Sequence, residues 1–113
     1  MNISVQQAAN VEMYIQSIWM SLFSKGRSTS AQAVITIRDA NGAAVSNADV
    51  SGNWSGLTNE GFSGTTDSNG QLVVESLKTK NSGTFTIRVI NVSASGYTYK
   101  SSLNKVTSAS ISN

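Results

Sequence analysis

At 113 residues the chain can bury one hydrophobic core and is too short for two. Charged residues make up only 12%, so Ser, Thr, Asn and Gly must form most of the surface, and the formal charge of +2 comes from scattered Lys and Arg, densest at Lys25/Arg27 and Lys78/Lys80. This excludes a basic face of the kind that binds nucleic acid. The lack of both His and Cys removes Ser-His-Asp and Cys-His catalysis, disulfides and the usual zinc ligands.

Met1 to Asn10 has neither the basic start nor the sustained apolar run of a signal peptide. Residues 1–9 therefore read as a tail or linker remnant, and residues 10–113 as a single domain. The longest apolar candidate is interrupted by Gln16, Ser17, Ser21 and Ser24, short of the ~18 residues of a membrane span. No membrane insertion is expected.

Two periods compete between Val11 and Phe23. Val11, Tyr14, Ile15, Ile18, Trp19 and Leu22 fit a helical stripe, with Asn10 as a cap, Glu12 in the first turn and Lys25-Gly26 as a stop. Val11, Met13, Ile15 and Trp19 fit one face of a strand, and the β-branched and aromatic content favours the strand.

Arg27 to Gln32 is polar and reads as a loop. From Ala33 the alternation is clear: Ala33, Ile35 and Ile37 point inward, Val34, Thr36 and Arg38 outward, and Asp39-Ala-Asn-Gly42 ends the strand. Ala48 to Ser55 places Val50, Gly52 and Trp54 on one face. Gly56 to Gly64 reads as a loop or short edge strand anchored by Leu57 and Phe62. A second turn, Asp67-Ser-Asn-Gly70, leads to a strand with Leu72 and Val74 inward. Phe85, Ile87 and Val89 then alternate with Thr84, Thr86 and Arg88. Tyr97 and Tyr99 bracket a last clear strand, and Ser101 to Asn113 adds a weak pairing segment or frays. With no Pro in the chain, strand edges depend on Lys100, Lys105 and short length for protection.

Several regularly spaced short strands predict an all-β fold, an immunoglobulin-like β-sandwich of about seven antiparallel strands with Trp54 in its core. The run from Val34 to Gly56, with Thr66 to Gln71, Gly83 to Ile87, Asn91-Val92 and Gly96 to Tyr99, resembles bacterial immunoglobulin-like (Big-like) accessory modules. The resemblance covers most of the chain. Such modules commonly lie near the C-termini of secreted subtilisin-like proteases and other exported hydrolases. It implies that Met13 to Ile18 is a first strand, that the chain is secreted or extracellular, and that it is an appendage without an active site. Many relatives carry a Cys pair flanking the second turn, and by the resemblance Gly64 and Leu72 occupy those places here.

The candidate chemistry is thin. Ser102-Leu-Asn-Lys105 has the Ser-x-x-Lys spacing of some acyl-transfer enzymes, but that spacing unites the two side chains only on a helix. The six acidic residues are spread over different elements. The two Asp-x-Asn-Gly turns start like calcium loops but lack the later acidic ligands, and Asx-turn chemistry with Gly at positive φ explains them. Lys100 with Asn91 or Asn53, and Glu75 as acid, are the residues available for an intramolecular Lys–Asn amide bond. Trp19, Tyr97 and Tyr99 are the candidate ligand surface, able to stack on sugar rings if exposed. The outward residues Ser51, Asn53, Ser55, Thr86 and Arg88 offer no aromatic platform.

The expected function is a non-catalytic accessory module, serving as spacer, stabiliser or adhesion element, that needs no cofactor and has other domains of its precursor as partners. The alternative is a module binding polysaccharide or another cell-surface component.

Overall fold

A computed structural model of the chain describes residues 11–113, so the expected tail at 1–9 lies outside the described residues. These form β1 (Val11–Lys25), β2 (Ser28–Asp39), β3 (Asp49–Gly56), β4 (Glu60–Thr65), β5 (Gln71–Glu75), β6 (Thr84–Ser93), β7 (Tyr97–Tyr99) and β8 (Ser108–Ser112). The strands build two four-stranded sheets, ordered β5-β2-β1-β7 and β4-β3-β6-β8. The fold is all-β, a sandwich of two sheets. One pair departs from the antiparallel expectation: β7 runs parallel to β1, matching Tyr97–Tyr99 with Val11–Met13.

The competing periods in β1 have a physical cause. Met13 and Ile15 face the core, the register with β2 slips between Ile15 and Ser17, and Ile18 then faces the core as well. One extra residue, Gln16, thus puts two buried isoleucines three positions apart, the spacing of a helical stripe. The same device recurs in β6, where the pairing with β3 slips between Ser51 and Gly52 and both Val89 and Val92 are buried. The slip in β1 also corrects the strand-face reading, because it turns Trp19 away from the face of Met13 and Ile15 into solvent.

A polar clamp holds the β1 bulge. The Ile15 N–H donates to Asn104 Oδ1 (2.7 Å), the Lys105 N–H donates to the Ile15 carbonyl (3.0 Å), and Asn104 Nδ2 donates to the Tyr99 hydroxyl (2.7 Å). Of the two readings of Ser101–Asn113, pairing is the one observed: after a single 3-10 turn at Ser101–Leu103, β8 pairs along its length with β6.

The start of β2 is also earlier than the sequence implied. Lys25 pairs with Ser28, leaving Gly26-Arg27 as a two-residue hairpin loop with Gly26 at φ +63°, as a type II′ turn requires. Residues 28–32 are strand because their polar groups find partners within the fold. The Ser30 hydroxyl donates to Glu75 Oε2 (2.6 Å), and the Ala31 N–H donates to Ser76 Oγ (2.9 Å).

Ala33, Ile35 and Ile37 are buried as expected, and with Met13, Val50, Phe85, Ile87 and Trp54, which is only 2% exposed, they fill the space between the sheets. Each such large side chain contributes roughly 1.5–3 kcal/mol by leaving water. Thr36, expected outward, does point outward but is buried, because β2 is flanked on both sides and Thr36 sits between Ser17 and Gln71. Leu57 and Phe62 are half-buried anchors against the core. Gly64 and Leu72, on different sheets, face each other: a Cβ on Gly64 would lie 2.7 Å from Leu72 Cδ1.

Candidate functional site

The outward face of the β5-β2-β1 sheet can be read row by row from the pairing. Residues directly opposite in a ladder share a face. Tyr14 stands opposite Arg38; then follow the rows Ser17–Thr36–Gln71, Trp19–Val34–Val73, Ser21–Gln32–Glu75, and Phe23 beside Ser30. Trp19 is 78% exposed, Val73 52% and Phe23 49%, while Tyr14 and Val34 are half-buried. An aromatic platform therefore exists, flanked by amide and hydroxyl groups.

The opposite outward face is chemically different. Its ladder is made of small polar groups, with Thr84 and Thr86 exchanging hydroxyl hydrogen bonds with Ser112 (2.8 Å) and Ser110 (2.9 Å). Ile90 is the exposed large apolar residue there, lifted out at the β6 bulge. As the sequence implied, this face carries no aromatic ring among Ser51, Asn53, Ser55, Thr86 and Arg88.

The structure does not bring the three expected ligand residues together. Trp19 lies on the outward face, whereas Tyr97 and Tyr99 pair with Val11 and Met13, are half-buried and pack against the core. The Tyr99 hydroxyl is occupied by Asn104. Sequence reasoning missed Tyr14 and Phe23 as companions of Trp19. The intervals between them, five and four residues, match no simple strand period until the bulge at Gln16 is taken into account.

Two hollows adjoin these faces. One, about 320 Å³, lies at the Tyr14 end of the aromatic face between Glu12, Tyr14, Ala40, Leu103 and Lys105. Glu12 there also pairs with Lys100 at 3.4 Å, both side chains being partly exposed. The other, about 300 Å³, is lined chiefly by Asp49, Ser51, Ser63, Thr65, Asn91 and Ser93 on the Ser/Thr face. In it Asp49 Oδ1 already accepts the Thr65 hydroxyl at 3.2 Å.

The carboxylates of both Asp-x-Asn-Gly turns serve the backbone. Asp39 Oδ1 accepts the N–H groups of Asn41 (2.9 Å) and Ala43 (3.0 Å), and Asp67 Oδ1 accepts those of Asn69 (2.8 Å) and Gln71 (3.0 Å). This is turn chemistry of the Asx type. The groups considered for a Lys–Asn amide bond are apart: Lys100 pairs with Glu12 beside β1, Glu75 accepts from Ser30, and Asn53 and Asn91 lie in the other sheet. Ser102 and Lys105 are both exposed, in and just after the 3-10 turn.

No protein-family model, no curated protein and no solved structure matches the chain.

Proposed function

We propose that the chain is an immunoglobulin-like, non-catalytic accessory module of a secreted bacterial protein, where it acts as spacer, stabiliser or adhesion element alongside other domains of its precursor. The observation that carries this reading is the strand order. The first, second, fifth and seventh strands share one sheet and the fourth, third, sixth and last share the other, which supports an immunoglobulin-like grouping in which the fourth strand has joined the sheet of the third and the short seventh is added beside the first. The facing of Gly64 and Leu72 supports the same reading, since these are the places where the resembled modules carry their Cys pair. A hydrolase is the neighbour that the resemblance suggests.

A Gly64→Cys/Leu72→Cys double variant tests the placement. Under mild oxidation its intact mass should fall by two hydrogen atoms, and closing so short a loop should add about 2–3 kcal/mol to unfolding in urea. Two thiols that stay free to alkylation would remove this support. Deleting the module from its precursor tests the role: turnover of a small soluble substrate by the neighbouring domain should be unchanged, and a collapse of that turnover would overturn the accessory reading.

A second reading, that the module also binds polysaccharide or another cell-surface component, is favoured by one observation. Trp19, the largest side-chain type, is held 78% exposed in the middle of β1, within its ladder with β2. A solitary surface aromatic needs no explanation, but one set in a row with Val34 and Val73 is a contact surface.

A further inference from the structure

We propose that the outward face of the β5-β2-β1 sheet binds an extended, neutral glycan chain lying along β1 across Tyr14, Trp19 and Phe23. The proposal rests on the surface-binding reading above and gives it a site and a ligand class.

The geometry comes from the bulge. Measured on the regular partner strand β2, Tyr14 stands at Arg38, Trp19 at Val34 and Phe23 at Ser30, so the three rings fall at equal intervals of four β2 residues. Four strand residues span about 13 Å. Were Gln16 paired regularly rather than bulged, Tyr14 and Trp19, five residues apart, would face opposite sides of the sheet. The bulge, clamped by Asn104, thus converts an irregular sequence spacing into a straight, evenly stepped aromatic line.

The rows between the rings supply hydrogen-bonding groups. Ser17 and Gln71 flank the interval before Trp19, and Ser21, Gln32 and Glu75 flank the interval before Phe23. A glycan presents alternately the apolar faces of its rings and the hydroxyls at their edges, and this surface alternates in the same sense. At the Tyr14 end the line runs into the 320 Å³ hollow, whose Glu12 and Lys105 offer a carboxylate and an ammonium to terminal hydroxyls.

Charge and area select the occupant. Along the face Arg38, Lys100 and Lys105 stand with Glu12 and Glu75, Glu12 already pairing with Lys100, while the rows between the rings carry mostly uncharged hydroxyl and amide groups, which suits a neutral chain. Exposed Trp19 and Phe23 together offer apolar contact on the order of 300 Å². Single apolar rows separated by polar rows suit stacked sugar rings better than a second copy of the chain.

Native affinity electrophoresis through gels containing hydroxyethylcellulose, xylan, glucomannan or a soluble chitin derivative tests the proposal. At least one should retard the wild-type chain, and Trp19→Ala should weaken that retardation roughly tenfold or more, the worth of one well-placed aromatic contact. Tyr14→Ala and Phe23→Ala should each weaken binding severalfold on the polymer and much less on a short oligosaccharide that reaches only Trp19. Thr86→Ala on the other sheet should bind as wild type does. Trp19 being exposed, its variant should keep the wild-type melting temperature, so lost binding cannot be ascribed to unfolding. The proposal fails if none of these polymers retards the chain, or if Trp19→Ala binds as well as wild type. It also fails if sedimentation shows a dimer that Trp19→Ala dissociates, which would make the face an interface between copies. Any of these failures leaves the sandwich reading intact, because the engineered cross-link between Gly64→Cys and Leu72→Cys decides that separately.

Discussion

The two Asp-x-Asn-Gly turns, Asp39 to Ala43 and Asp67 to Gln71, are the same object locally. In each, the Asp side chain accepts two N–H groups, the Asp N–H donates to the carbonyl four residues on, and the Gly N–H donates to the Asp carbonyl, every distance lying between 2.8 and 3.0 Å. Gly42 and Gly70 both have positive φ, +86° and +75°. Their surroundings are reversed. In the first turn Asp39 is buried and Gly42 has open space around it; in the second Asp67 is exposed and Gly70 is packed against the backbone of Ile37 and Val45. Local sequence chose the turn, and tertiary packing chose which residue anchors it.

The largest effect that follows is at Gly70. A Cβ there would meet the Ile37 carbonyl oxygen at 2.6 Å and the Val45 nitrogen at 3.1 Å, both backbone atoms that cannot rotate away. The Gly70 carbonyl also accepts the Ile37 N–H at 2.8 Å, so any shift that relieves the clash breaks a docking bond. Gly70→Ala should cost about 3 kcal/mol or more, combining positive-φ strain with overpacking. Urea unfolding measures it directly, and the melting temperature should fall by on the order of 15 °C. A loss equal to that of Gly42→Ala would sink the claim that packing distinguishes the turns.

Asp39→Ala comes next. It takes the acceptor from the Asn41 and Ala43 N–H groups and empties the buried place of the Asp39 side chain, at the point where the Ala40 N–H also ties the turn to the Glu12 carbonyl. The expected loss is about 2 kcal/mol. Asp39→Asn, which keeps the oxygen acceptor, should recover most of it, and no recovery would mean that the carboxylate does something besides accept these two bonds.

The same division between local and tertiary information explains what the sequence disclosed elsewhere. The inward faces of β2, β3 and β6, with Ile35, Ile37, Val50, Trp54, Phe85 and Ile87, were legible because alternation and burial agree there. The hydrogen bonding of both turns was legible because Asp, Asn and Gly encode it within five residues. The course of β1 was obscured, since one inserted residue mimics a helical period and only the partner strand shows the slip. The early start of β2 was hidden for a related reason: Ser30 and Ala31 have no strand signature of their own and depend on Glu75 and Ser76, over forty residues away. The candidate site shared that fate. Trp19 was visible as a residue, but the direction it points and its alignment with Tyr14 and Phe23 exist only after the bulge has set the register, while Tyr97 and Tyr99 look alike in sequence and turn inward.

The smallest effects complete the comparison by reversing it. Gly42→Ala meets no neighbouring atom, so it should cost only the strain of placing a Cβ at φ +86°, about 1 kcal/mol. Gly42→Asn should cost less than Gly42→Ala, because Asn tolerates the left-handed region. Asp67→Ala removes an acceptor from the Asn69 and Gln71 N–H groups at an exposed turn, where water can replace it, so about 0.5–1 kcal/mol is expected. The four single variants therefore predict a crossover in urea midpoints: Asp outweighs Gly in the first turn, and Gly outweighs Asp in the second. Equal ratios in the two turns would mean that the shared hydrogen-bond pattern, and not the packing around it, sets their worth, and the reversed burial of Asp39 and Gly70 would then carry no energetic consequence.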